Sequence, residues 1–156
     1  MSPEIERKFF VRNAPTDLHN YPHQEISQGY IAVSDEGLEV RLRNKGGKFT
    51  QAVKSGGGLK RLEVEIELSR MQFEKLWPLT EGKRVQKVRY EIYHRGWTLE
   101  LDVYGGKLSD LIVAEVEFDN EEQSRAFELP DWLGQEITHD ERYKNKNLAA
   151  YGLPEM

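Results

Sequence analysis

Cysteine is absent from the 156-residue sequence, which excludes disulfide staples, thiolate zinc sites and a cysteine nucleophile. Long apolar runs are missing too. The N-terminal stretch MSPEIERKFFV has Phe9–Val11 as its longest uncharged apolar run, so neither a signal peptide nor a membrane span is drawn there, and a cytoplasmic address is expected. No excess of positive charge is available: 22 Lys and Arg face 27 Asp and Glu, a net charge of −5. That balance offers no general attraction for nucleic acid or an anionic membrane, and any anionic ligand needs a local cluster. Low-complexity linkers and repeats of fixed period are also lacking. What is present is aromatic and charged: 3 Trp, 7 Tyr and 6 Phe supply apolar surface that a disordered chain lacks, while charged residues reach 31%. Residues 1–156 are expected to form a single domain.

Period-two alternation dominates and predicts about eight strands. The first is Glu4–Val11, the second Glu25–Val33, and in the third Leu38, Val40 and Leu42 alternate with Glu39, Arg41 and Arg43. A fourth, Lys48–Lys54, runs into Ser55-Gly56-Gly57-Gly58, which reads as a flexible turn and lacks the order of a phosphate-binding P-loop. The clearest alternation follows, Leu62, Val64, Ile66 and Leu68 against Arg61, Glu63, Glu65 and Glu67. Val85–Tyr93, Trp97–Tyr104 and Leu111–Phe118 complete the set. Ser69 with Gln72 forms a capping-box signal before Phe73, Leu76 and Trp77, with Pro78 as the stop. A second helix is expected from Asn120 through about Phe127, and a third from about Asp140 to Ala150 with Gly152 as terminator. The fold class is therefore mainly β with about three flanking helices.

One charged strand face is ordinarily a solvated face. Here the polar faces add up to nine acids (Glu4, Glu6, Glu39, Glu63, Glu65, Glu100, Asp102, Glu115, Glu117) and six bases (Lys8, Arg41, Arg43, Lys54, Lys87, Arg89), in pairs two residues apart on nearly every strand. Closing such a sheet gathers the pairs in its interior, with the apolar faces turned outward against helices, and an antiparallel barrel of about eight strands leaves room for one small ligand. The three surplus negative charges call for divalent cations, and carboxylates without cysteine or clustered histidine favour Mg²⁺ or Mn²⁺ over Zn²⁺. His19, His23, His94 and His139 fall outside the paired acids. The bases then need an anion, and a chain of phosphates suits Arg forks and Lys point charges.

Glu4-Ile5-Glu6-Arg7-Lys8 resembles the ExExK signature of the CYTH superfamily, the triphosphate tunnel metalloenzymes. Arg41/Arg43, Lys54, Glu63/Glu65, Lys87/Arg89, Asp102 and Glu115/Glu117 follow in the order that family uses, so the resemblance covers residues 4 to about 118. It implies a closed eight-stranded antiparallel β-barrel forming a tunnel, a bound divalent metal, Mg²⁺ or Mn²⁺, and a small-molecule triphosphate as substrate. It further implies Glu4, Glu6, Asp102, Glu115 and Glu117 as metal ligands, with Glu63 and Glu65 holding metal-bound water or a second ion. Lys8, Arg41, Arg43, Lys54, Lys87 and Arg89 line the phosphate path in that reading, and Lys8 and Tyr30 are the catalytic candidates. Arg142 and Lys144 are candidates for contact with substrate at one tunnel end.

The expected activity is metal-dependent hydrolysis of the terminal phosphoanhydride of inorganic tripolyphosphate by in-line attack of water. The alternatives are thiamine triphosphatase or adenylyl cyclase activity on the same scaffold, or a non-catalytic polyphosphate-binding barrel. Short length leaves little sequence to recognise an organic moiety, which favours the inorganic substrate. Trp77, Trp97 and Trp132 lie off the charged faces and are expected to pack, and Lys144-Asn145-Lys146-Asn147 reads as a solvated helix face. No nucleic-acid or membrane partner is expected, and the chain is expected to be a monomer or homodimer.

Overall fold

The computed structural model describes residues 5–55 and 62–155. Glu4 and the Gly56–Gly58 turn lie outside them. Among the described residues nine strands make one antiparallel sheet: β1 (Ile5–Val11), β2 (His23–Val33), β3 (Glu39–Lys45), β4 (Lys48–Ser55), β5 (Leu62–Leu68), β6 (Arg84–His94), β7 (Trp97–Tyr104), β8 (Ile112–Phe118) and β9 (Leu133–Glu136). Their order is β5-β4-β3-β2-β6-β7-β8-β1-β9. The first eight are those expected from the alternation. The ninth was not legible, because four residues containing Gly134 carry no period. It forms by pairing with β1 at Phe9↔Glu136 and Val11↔Leu133 and by burying Leu133.

The sheet curls. β4 and β1 stand six places apart in the ladder, yet Lys54 on the one and Glu6 and Lys8 on the other line the same cavity. Register keeps the charged residues in rows on the concave side: Glu63, Lys54 and Glu39 lie opposite one another, as do Arg89 with Asp102, Lys8 with Glu115, and Glu6 with Glu117. In a pleated strand, residues two apart share a face, so one fixed register gathers every pair.

Apolar residues on the convex side are covered by helices. Phe9, Leu99, Val116 and Phe118 pack beneath the end of α2 (Glu121–Ala126), where Phe127 meets Phe118 edge-on at 5.5 Å. Leu42 and Phe49 pack beneath α1 (Arg70–Leu76), with Phe73 4.8 Å from Phe49 and stacked 5.0 Å from Trp77. Burying each such ring is worth about 1.5–3 kcal/mol. The capping box of α1 is complete: Gln72 N donates to Ser69 Oγ and Ser69 N donates to Gln72 Oε1. Pro78 does not stop the chain's winding, which tightens into a 3₁₀ turn over Trp77–Thr80. Proline at the start of a turn loses no hydrogen bond that the turn needs. Thr80 packs so closely against β2 that a Cβ on Gly29 would lie 2.6 Å from its own Cβ. The outward residues Leu62, Val64 and Ile66 of β5, expected against a helix, are 65%, 50% and 50% exposed, since α1 folds back over Phe49.

The third helix is broken. Lys144 adopts an extended conformation, splitting a 3₁₀ turn (Glu141–Tyr143) from α3 (Asn145–Tyr151), which ends at Gly152 with φ 77°. The break lets α3 sink into one end of the curled sheet. There Leu148 and Ala149 join Tyr30, Val85, Tyr104 and Val113 in a buried cluster. Val113 lies opposite Asp102, and Tyr104 opposite Lys87, so this cluster is on the concave side and fills that end of the interior.

Candidate active site

A cavity of about 280 Å³ opens on the concave side, lined by Glu6, Lys8, Gln28, Tyr30, Glu39, Arg41, Lys54 and Glu115, and closed over by the C-terminal segment from Ile137 to Lys146. Of the residues expected at the site, Glu6, Lys8, Tyr30, Arg41, Lys54 and Glu115 thus converge, from β1, β2, β3, β4 and β8. Ion pairs in this lining are long: Lys8 to Glu115 at 3.5 Å and Lys54 to Glu39 at 4.0 Å, while Arg41 reaches Glu65 on the open edge strand at 3.9 Å. Lys8 Nζ also donates to the Tyr143 carbonyl at 2.7 Å, tying β1 to the C-terminal segment. Arg41 is buried and its Nε has no hydrogen-bond partner. An orphaned buried donor costs about 1–3 kcal/mol.

Next to the cavity lies a second, tighter group. Arg89 clasps Asp102 with both arms, Nε to Oδ1 at 2.8 Å and an η nitrogen to Oδ2 at 3.0 Å, and reaches Glu100 at 3.1 Å. Lys87 Nζ is wholly buried 2.9 Å from Asp102 Oδ2, outside hydrogen-bond geometry. Asp102, expected as a metal ligand, therefore has its oxygens engaged by cations, and Arg89, expected on the phosphate path, is engaged by acids. Burial pushes the Lys87 ammonium down to about 8, with Asp102 pulling it up and Arg89 down. Burial also favours a neutral Asp102, but Lys87 and Arg89 outweigh it and hold the carboxyl below its usual range.

Arg43 donates from Nε to Gln28 Oε1 at 2.8 Å, and Gln28 Nε2 donates to the Tyr30 phenol oxygen at 2.7 Å. Burial, then the Arg41 and Arg89 charges, bring Arg43 down to about 10, which leaves it cationic at neutral pH. Burial and the Glu39 charge push Tyr30 up to about 12.

The acids divide. Desolvation, then the charges of Glu115 and Glu117, raise the Glu6 carboxyl. Carboxylates that repel in this way are hard oxygen donors. Among the described residues no three acidic or histidine side chains already stand at metal-holding spacing, and Glu4 falls outside them. Glu63 and Glu65 are exposed on β5.

Lys144, a candidate for substrate contact at one tunnel end, does reach the cavity, while its neighbours in the C-terminal segment are residues that sequence reasoning missed. Asn145 and Lys146, read with it as a solvated face, line the cavity with Thr138 and Asp140. Alternation cannot reveal a segment that crosses the tunnel end. Arg142 turns away to pair with Asp140 at 2.7 Å.

A curled antiparallel sheet whose concave side carries paired acids and bases is the arrangement of the CYTH domain, and the CYTH family model matches residues 2–151: the chain belongs to this family. It is 48% identical over 148 residues to an inorganic triphosphatase of Nitrosomonas europaea, covering 94% of this chain and 96% of that protein. An inorganic triphosphatase of Acetivibrio thermocellus is 35% identical over 153 residues, covering 96% and 94%. The crystal structure of the inorganic triphosphatase NE1496 superimposes with a TM-score of 0.79 at 43% identity, covering 96% of each chain.

Proposed function

We propose that this chain is an inorganic triphosphatase, hydrolysing the terminal phosphoanhydride of tripolyphosphate. The observation that carries the reading is the buried, unpartnered Arg41 Nε on a strand that lines the cavity, beside Lys8, which lies 3.5 Å from Glu115. An ion pair this long exchanges partners with a polyanion more readily than the clasped Arg89–Asp102 pair. The names of the two full-length relatives support the same substrate. We place the activity in the cytoplasm and take residues 1–156 as one tunnel domain.

In this reading Lys8, Arg41, Arg43 and Lys54 hold the phosphate oxygens. Tyr30, kept protonated by its high proton affinity, donates to one of them. Lys87 and Arg89 contribute positive potential from behind, and Asp102 orders both. Glu6, Glu115 and Glu117, with Glu4, are the proposed holders of Mg²⁺ or Mn²⁺. When bound, such an ion neutralises phosphate oxygens and acidifies the attacking water. Displacement at the terminal phosphorus then needs only positioning and charge stabilisation, with no covalent enzyme intermediate.

The test is phosphate release from tripolyphosphate, thiamine triphosphate and ATP at fixed free Mg²⁺, with cyclic AMP assayed in parallel. Tripolyphosphate is expected to give the highest kcat/KM. Cyclic AMP from ATP would replace this reading with a cyclase, and binding without turnover would replace it with a polyphosphate-binding barrel. Dialysis against EDTA is expected to abolish activity until Mg²⁺ or Mn²⁺ is restored. Glu6→Gln, which removes a charge without changing volume, is expected to lose turnover with the fold retained.

A further inference from the structure

Gln28 is a wholly buried amide on the inner face of β2, between two groups of the proposed site. A guanidinium has N–H donors and no acceptor, so the Gln28 atom 2.8 Å from Arg43 Nε is the carbonyl oxygen. The other end of the amide is then NH₂, and the phenol oxygen 2.7 Å away can only accept from it. With its acceptor side taken, the Tyr30 hydroxyl must send its proton elsewhere. Tyr30 and Gln28 both line the cavity. Tyr104 provides the contrast: its hydroxyl donates to Asn145 Oδ1 at 2.5 Å, so its proton is used within the fold.

Packing restrains the Tyr30 ring, which is buried with Val85, Tyr104, Val113 and Leu148, and hydrogen bonds hold its strand. The Tyr30 N–H donates to the Lys83 carbonyl at 3.0 Å, and Lys83 Nζ donates at 3.0 Å to the carbonyl of Ile31, at the bulge in β2. The phenol is thus held in place by its packing on a fixed strand and fixed in polarity by the amide.

We infer that Gln28 is a positioning residue: held by Arg43, it takes the acceptor side of the Tyr30 phenol and obliges the phenol proton to point into the cavity, for donation to a phosphate oxygen of the substrate. The inference deepens the triphosphatase reading and rests on it. Arg43 then acts on the reaction twice, through its own charge and through the orientation it imposes two residues away.

The experiment compares Gln28→Glu, Gln28→Met and Tyr30→Phe, with the Gln28→Glu/Tyr30→Phe double variant, in steady-state hydrolysis of tripolyphosphate, after circular dichroism has established that each is folded. A carboxylate beside Arg43 stays ionised and can only accept, so Gln28→Glu turns the phenol proton away from the cavity. Its kcat is expected to fall about 10- to 100-fold, as for Tyr30→Phe, with KM changed by less than about threefold. In the Tyr30→Phe background the same Glu is expected to cost only what its charge takes from Arg43, less than about threefold, since there is no proton left to misdirect. Gln28→Met, which leaves the phenol free to donate, is expected to lose less. Equal losses for Met and Glu, or losses that multiply in the double variant, would make Gln28 a packing or charge effect and overturn the inference. A wild type that releases no phosphate overturns the functional reading instead, and the polarity is then judged by alkaline ultraviolet titration of Tyr30, taken as the difference from Tyr30→Phe. Loss of a donor to the phenolate moves that titration to higher pH in Gln28→Met. A shift to lower pH, or none, means the amide was not donating and overturns the inference.

Discussion

Two groups of opposite charges sit side by side on the concave face, built from the same residue types at the same spacing, and they differ in how tightly they are paired. Around Asp102, Lys87 and Arg89 approach within 2.8–3.0 Å, and the acid has no exposed surface. Around the cavity, Lys8 and Arg41 approach their acids at 3.5 and 3.9 Å. Charges that satisfy one another bidentately in a buried place hold strands together and have little left to offer a ligand. Charges set farther apart, beside an open cavity, are disposed to take a polyanion. An RxR or ExE pair therefore does not declare its use. The distance to its partner does.

The difference is broken most severely by Asp102→Asn, which leaves Lys87 and Arg89 buried without their shared counter-charge. The expected cost is about 3–5 kcal/mol of unfolding free energy, measured by urea denaturation at neutral pH. Wild-type stability in this variant would mean that the tight group does not hold the sheet. Arg41→Ala is expected to behave in the opposite sense. It should lower kcat/KM for tripolyphosphate by about 1.5–3 kcal/mol of lost charged hydrogen bonding, while stability changes by less than about 1 kcal/mol because a buried orphan donor is removed with the charge. Arg41→Lys should recover only part of the loss, as an ammonium lacks the planar fork. Stability loss as large as that of Asp102→Asn would erase the distinction.

The smallest effect separates tightness from burial. Arg7 and Glu136 pair at 2.7 Å, but the carboxylate side chain is 37% exposed. The Arg7 hydrogen bond lowers the Glu136 carboxyl from its ordinary 4.5, against slight desolvation. A depressed carboxyl stabilises the fold above its unfolded value and loses that contribution as pH falls through the folded value. Glu136→Gln should therefore cost well under about 1 kcal/mol at neutral pH after solvent screening, and the two proteins' stabilities should converge below pH 4.5. A gap that persists in acid would assign the effect to packing of β9.

Much of this was legible in the sequence. Alternation located the strand Trp97–Tyr104 to the residue and found the strand Leu62–Leu68, because a strand with one charged face repeats every two residues whatever it pairs with. Ser69 with Gln72 and Asn120 marked helix starts through bonds that are local in the chain. What escaped depends on distant partners. β9 exists only against β1, and the extended Lys144 follows from fitting α3 into the tunnel end. Likewise, Lys8, Arg41 and Tyr30 were recognisable as wall residues, but nothing in the spacing of Arg89 and Asp102 distinguished a closed pair from a ligand site. Gln28 carried no signal at all, since an uncharged residue on a charged face looks like an interruption.

The pairing of Ile5 with Phe118, and of Phe9 with Glu136, has a consequence in time. During synthesis β1 emerges first and waits, without the strands that flank it, until β8 and then β9 are made. At ordinary translation speeds that delay is on the order of ten seconds. Glu6 and Lys8 are among the first wall residues translated and among the last to find their neighbours, Glu117 and Glu115. Phe9 meanwhile has no Leu133 or Phe127 to cover it, so a nascent chain stalled before β8 exposes a sticky first strand and carries no cavity. The reaction chamber is complete only once the segment through Lys146 has been made.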